Sequence, residues 1–246
     1  MVDSGIPQEQ KNRPPWFDFV LLLLVPILGL LLGVAAVRIL ALEGAPYRDL
    51  VVNLVFLTAV LTAVFVFQFS RADVGLRLIR QELGWHLLAA LAIFALYLLY
   101  YIFAIHISGL NPLSPAVTWG LLTALIIALA EELYFRGVLY RFIEQRYSAL
   151  GAWTLSALIF GLFHARQGVN GIVTKTITGW LWGSVRYTSG MIFLLIFPVH
   201  FAYNAFWLIF IGSWDNPPQW AIYGLPAAEF LLGLAIAWVK LKRTAQ

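Results

Sequence analysis

Residues 126–140 read IIALAEELYFRGVLY, a run apolar enough for a bilayer that nevertheless carries Glu131, Glu132 and Arg136. Further along, FGLFHARQ sets Phe160 and His164 four apart, and FPVHFAYNAF sets His200 and Asn204 four apart. An ionised side chain at the centre of a span costs about 2.5–3.5 kcal/mol on insertion scales, so such residues face a bundle interior and usually carry function. Glu132 and Arg136 share one helix face and can pair. Glu131 is turned about 100° away on the helix. The spacing therefore predicts a structural Glu132–Arg136 clip and a Glu131 left free for chemistry.

Glutamate plus histidine, with no cysteine and no Ser/His/Asp set, suits water activation. A desolvated carboxylate is a stronger base than one in water. It can take a proton from a water held between Glu131 and His164. His200 and Asn204 would then donate to the oxyanion formed on a carbonyl. That describes amide hydrolysis inside a membrane. Zinc is the competing reading, since Glu and His ligate it. There is no HExxH, however, and the two histidines stand 36 residues apart, so spacing lends a metal little support. Each residue also has a plainer explanation. A lone histidine in a span is more often a packing residue, an i, i+4 Glu–Arg pair is more often a helix clip, and Asn204 could simply bridge helices. The conjunction of the four within 74 residues favours chemistry.

The elements that must hold these residues follow from composition. The chain has 246 residues, 61% hydrophobic and 11% charged, with mean hydropathy +0.84. Soluble domains run near 45–50% apolar and 25% charged, so this is an all-α membrane protein. Apolar runs of about 20 residues predict a polytopic bundle of about eight transmembrane helices. They lie near 17–40, 50–69, 84–107, 117–140, 150–165, 171–187, 190–211 and 220–240. The run at 171–187 is short and half polar, and a re-entrant segment there is the competing topology. One integral membrane domain over 1–246 is expected, with the chemistry in a core at 115–210. The first apolar run lacks a cleavage site and reads as a retained span. Absent cysteines exclude disulfides and thiol nucleophiles. No basic cluster with interleaved aromatics is present, which sets nucleic-acid binding aside.

Eleven of the sixteen Lys and Arg residues fall in alternate connecting segments. They are Lys11, Arg13, Arg71, Arg77, Arg80, Arg141, Arg146, Arg186, Lys240, Lys242 and Arg243. The positive-inside rule then places both termini in the cytoplasm of a multi-pass cell-membrane protein. Two GxxxG spacings, Gly29/Gly33 and Gly179/Gly183, are read as close helix packing. A depth comparison places Glu131 and His164 within a turn of the same level. It counts from a turning point at Ala149 and requires the helix of Glu131 to run past Arg141.

The ordered stretches EELYFR (131–136), FGLFH (160–164) and HFAYN (200–204) resemble the EExxxR, FxxxH and HxxxN/D motifs of the CPBP family. This is the CAAX-protease and bacteriocin-processing group of intramembrane proteases, also called Abi. The Gly-rich GWLWGSVRYTSG resembles the family's helix and threonine-glycine turn, with Ser189 inserted between Thr188 and Gly190. The resemblance covers about 115–210 and implies Glu131 as the base, His164 as its partner on the water, and His200 with Asn204 as the oxyanion site. Glu132, Arg136 and Phe160 would be structural support. It implies no cofactor, although the family was long labelled metalloprotease, and zinc stays open. The expected partner is the lipid bilayer and a membrane-embedded or lipid-anchored peptide or protein substrate. Eukaryotic members of the family remove the last three residues of prenylated CAAX proteins. Lys175 and Arg186 could attract an acidic group such as a C-terminal carboxylate, but snorkelling to the interface is the expected role. Two other classes remain at this level: a non-catalytic bacteriocin-immunity or scaffold protein, and a proton-coupled transporter.

Overall fold

The computed structural model describes residues 15–104, 109–211 and 219–244; Lys11, Arg13 and the loop residues 105–108 and 212–218 lie outside them. The chain is a helical bundle. Three long apolar helices come first: α1 (Pro15–Ile39), α2 (Arg48–Val66) and α3 (Arg80–Ala104). Next comes α4 (Pro115–Glu131), which continues through a π-helical stretch (Glu132–Leu139) into α5 (Tyr140–Arg146). After a tight turn follow α6 (Ala149–Phe163), a 3₁₀ turn (Ala165–Gln167) and α7 (Gly168–Ser189). The chain then passes a π-helical turn (Leu195–His200) into α8 (Phe201–Ile209) and ends in α9 (Gln219–Thr244). Helices therefore stand where the eight apolar runs predict them. Among the described residues, five helices are long and apolar enough to span alone, the Pro115–Arg146 helix included.

The other three fall short alone for identifiable reasons, α6 and α8 in length and α7 in its polar content. α6 has 15 residues, about 22 Å at the usual rise, and it breaks at His164. From there α7 packs back along it. A Cβ on Gly183 would meet the Trp153 ring at 2.6 Å, and one on Gly179 would meet the Ala157 backbone at 3.1 Å. One on Gly161 would meet the Ile172 carbonyl oxygen at 2.5 Å. The two helices thus form an antiparallel hairpin whose axes can approach only because these positions lack side chains. Gly29 and Gly33 do the same for α1 on α2, where added Cβ atoms would lie 3.1 Å from Phe56 Cα and 2.8 Å from the Val52 carbonyl. Both GxxxG pairs are packing devices. Ahead of α8, Pro198 holds Phe197 extended (φ −139°, ψ 121°), so the helix is broken there.

Local sequence sets the starts. Ser114 caps α4 by accepting from Val117 N–H at 3.3 Å, with Pro115 at the first position. Ser148 caps α6 through Gly151 N–H at 3.0 Å. Gly190 ends α7 in the left-handed region (φ 71°).

Contacts between chain ends give the bundle two distinct faces. Arg146 meets Asp18 at 3.6 Å, and Arg141 meets Asp73 at 2.9 Å. Arg186 donates to the Asp73 carbonyl at 2.6 Å and to the Gly190 carbonyl. The start of α1, the α2–α3 loop, the end of α5 and the end of α7 therefore share one basic end. Arg186 is only 6% exposed there. This corrects its expected role: it clamps the α2–α3 loop rather than snorkelling. At the opposite end a two-residue ladder pairs Gly109 with Ile211 and Leu110 with Phe210, and Asn111 donates to the Leu208 carbonyl at 2.9 Å. Outward faces carry exposed Leu31, Leu32, Phe65, Phe103, Leu231 and Trp238, while Tyr97, Tyr134, Phe135, Phe160 and Trp182 are buried inside. An apolar exterior around an aromatic and polar interior suits lipid as solvent. The molecule is a multi-pass all-α membrane bundle.

Candidate active site

The site is assembled at the level where α6 breaks. Glu131 ends α4, and Glu132 opens the π-helical stretch that also carries Arg136. A π-turn inside a long helix is a recurrent mark of functional sites. Here it keeps Glu132 and Arg136 on one inward face. Arg136 Nη1 donates to Glu132 Oε1 at 3.1 Å, with both side chains essentially inaccessible. The guanidinium lies over the Phe160 ring at 4.3 Å and the Trp182 ring at 5.2 Å. Phe160 is thereby more than a packing residue, since its π-face and that of Trp182 partly replace the solvation the cation has lost. The expected clip is present.

Sequence spacing did not reveal what else Glu132 touches. Its Oε1 also meets His200 Nδ1 at 2.9 Å. The ring's other nitrogen, Nε2, faces Glu131 Oε2 at 3.8 Å. His200 therefore stands between two adjacent carboxylates, one gripping it and one opposite its free edge. Trp182 flanks the imidazole at 4.3 Å between ring centres. In the GWLWG stretch the two glycines face Ala157 and Trp153 of α6, while Trp182 itself is buried.

His164 is the last residue before the hairpin break. Its Nδ1 bonds the Phe160 carbonyl at 2.8 Å, and its ring meets Phe160 edge-on at 4.7 Å. That bond makes Nδ1 the protonated nitrogen and leaves Nε2 as the free, basic one. Electrostatic interactions couple His164 to Glu131, Lys175 and His200. Asn204 stands one helical turn beyond His200 on α8, half-buried.

Behind the site stands a second polar network, centred on Glu229 in the apolar run at 220–240. Glu229 on α9 is 2% exposed. It accepts from Tyr97 at 2.7 Å and from Thr178 at 3.1 Å. Trp182 Nε1 donates to the Tyr97 hydroxyl at 2.8 Å. The same indole thus ties α3 and α9 to the ring of His200.

A metal fits this constellation poorly. Among the described residues no three His, Asp or Glu side chains converge as a ligand set. Glu132 Oε1 already serves Arg136 and His200, and His164 Nδ1 is spent on a carbonyl. No step below is routed through a metal.

Residues 112–206 match the family model for the type II CAAX prenyl endopeptidase Rce1-like proteins. No curated protein matches the chain. The matched segment holds all three motifs and every residue from Glu131 to Asn204 described above. That match covers less than half of the chain; with the ordered motifs on convergent helices, it makes this core similar to the CAAX-protease (CPBP) family of membrane endopeptidases.

Proposed function

We infer that the chain hydrolyses a peptide bond of a membrane-anchored substrate using water activated by Glu131. Glu131 takes one proton from the water, and His164, through its free Nε2, holds the water on its other side. The hydroxide oxygen bonds to the scissile carbonyl carbon and the carbonyl electron pair moves onto oxygen. Asn204 and the outward edge of His200 donate to that oxyanion. Collapse breaks the C–N bond, and the proton held by Glu131 passes to the departing amine. Water is consumed once and the carboxylate is regenerated.

The observation that carries this reading is the division of labour between neighbouring carboxylates. Glu132 is engaged on one oxygen by Arg136 and His200, while among the described residues Glu131 has no side-chain hydrogen bond and its ion-pair contact is the far edge of His200. The Glu132 contact at Nδ1 fixes the orientation of the His200 ring and turns its other edge toward the site. The 3.8 Å contact also favours a second assignment, in which Glu131 and His200 hold the water and His164 serves the carbonyl. Loss of either histidine affects different steps in the two schemes.

We also place both termini in the cytoplasm, because the basic end gathers the α2–α3 loop with Arg141, Arg146 and Arg186. The similarity to prenyl endopeptidases supports a prenylated protein tail as substrate.

The test uses the full chain in lipid nanodiscs and a peptide ending in S-farnesylcysteine, valine, isoleucine and alanine. Release of the tripeptide by the native chain but not by Glu131→Gln is expected. Equal release by both would overturn the mechanism.

A further inference from the structure

A cavity of about 170 Å³ opens between α3, α7, α8 and α9, beside the catalytic level. Its walls include Lys175, Thr178, Tyr203, Trp207, Leu225 and Glu229. The α3 and α9 walls lie outside the segment that matches the family model.

Lys175 is the unusual member. It sits on α7 next to Thr176, which packs on Gly161 three residues before His164, so it is level with the catalytic histidine. Its ammonium meets the Tyr203 hydroxyl at 3.4 Å and lies 4.8 Å from the centre of the Tyr203 ring. Among the described residues no carboxylate comes within 4 Å of it. The nearest candidate, Glu229, is held elsewhere by the hydroxyls of Tyr97 and Thr178. A half-buried ammonium whose direct contacts are an aromatic ring and one hydroxyl, with Glu229 acting on it only from a distance, can receive an anion. Tyr203 is the residue before Asn204, so the cation and the oxyanion donor are adjacent along one wall.

We propose that this cavity is the subsite for the carboxy-terminal end of the substrate, with Lys175 binding the free α-carboxylate. The inference rests on the endopeptidase reading and adds a specificity residue to it. Three extended residues reach about 10 Å, so an anchored carboxylate fixes which peptide bond arrives at Glu131. The aromatic and aliphatic walls suit apolar side chains on those residues. The site thereby measures from the chain end instead of reading a sequence.

The test compares two probes on the full-length chain in nanodiscs. One is the farnesylated peptide above as the free acid, the other is its C-terminal amide. The native chain should process the acid with kcat/KM at least about tenfold above the amide, the worth of one charge-assisted hydrogen bond. Lys175→Met should bring the ratio close to one, and Lys175→Arg should keep it. A native ratio near one, or a preference retained in Lys175→Met, overturns the proposal. Binding of the two probes to the Glu131→Gln chain separates this idea from the mechanism. Selective binding of the acid, lost on adding Lys175→Met, upholds the subsite even where neither probe is cleaved. Equal binding of acid and amide overturns it.

Discussion

His200 is held by Glu132 through Nδ1 at 2.9 Å, and its opposite nitrogen faces Glu131 at 3.8 Å. Two carboxylates next to each other in the sequence therefore serve one imidazole from two sides. The π-helical stretch beginning at Glu132 lets both reach inward. One prediction follows directly from this arrangement. Glu132→Gln keeps a hydrogen-bond acceptor for His200 but removes the charge that holds the ring and pairs with Arg136. Turnover should fall by about 10²–10³, the scale of losing one oxyanion donor, with KM little changed. Steady-state kinetics on the farnesylated probe check this; an unchanged kcat would contradict it.

Arg136 is buried against Glu132, Phe160 and Trp182. Arg136→Ala strands the Glu132 carboxylate in the interior and should cost about 3–5 kcal/mol of stability. Thermal unfolding in detergent should show a lower midpoint. Pairing Arg136→Met with Glu132→Gln should recover much of the loss, because no isolated charge then remains. A stable Arg136→Ala chain would contradict the clip.

Gly161 lies where α6 and α7 touch, with Ile172 O at 2.5 Å and Thr176 N at 2.9 Å from an added Cβ. Both are backbone atoms, so the helices must part. Gly161→Ala should destabilise the chain by about 1–3 kcal/mol, despite alanine's better helix propensity. It should also lower activity, since His164 lies at the end of that hairpin. A midpoint equal to or above that of the native chain would contradict the close packing.

Asp73 titrates in the α2–α3 loop, outside the spans. Burial pushes its carboxyl up, but bonds from Ser70 and the Arg141 guanidinium outweigh this and hold it below the ordinary 3.8. A depressed folded-state value means stability that is present above the unfolded value and lost as pH falls through the folded one. Asp73→Asn should therefore be less stable than the native chain at neutral pH. The gap should shrink progressively below the ordinary carboxylate value. Unfolding midpoints taken from neutral pH down into that range test the sign; a gap that widens on acidification would contradict it.

Much of this was legible in the sequence, and the rest was hidden for physical reasons. The helices of the bundle follow from apolar run lengths, and the Glu132–Arg136 clip follows from i, i+4 spacing. The gathering of Arg141, Arg146 and Arg186 at one end follows from loop charge. The end of α6 at His164 agrees with the apolar run at 150–165, whereas the packing of α7 back onto Gly161 left no mark in hydropathy. The grip of Glu132 on His200 joins positions 68 apart and depends on a π-turn that no local pattern announces. Arg186 was misjudged for a related reason: its partners are carbonyl oxygens, and backbone acceptors leave no mark in a sequence. Glu229 looked like a lone charge because Tyr97 and Thr178, which satisfy it, come from two other helices.

The central claim is that Glu131 activates water for peptide hydrolysis in the membrane. Its most direct test needs no assumed substrate: new protein termini are mapped by mass spectrometry in membranes of cells making the native chain or Glu131→Gln at equal levels. The account predicts a set of termini present only with the native chain, each left by cleavage near the end of a membrane-anchored protein. Identical termini in the two membranes would contradict it.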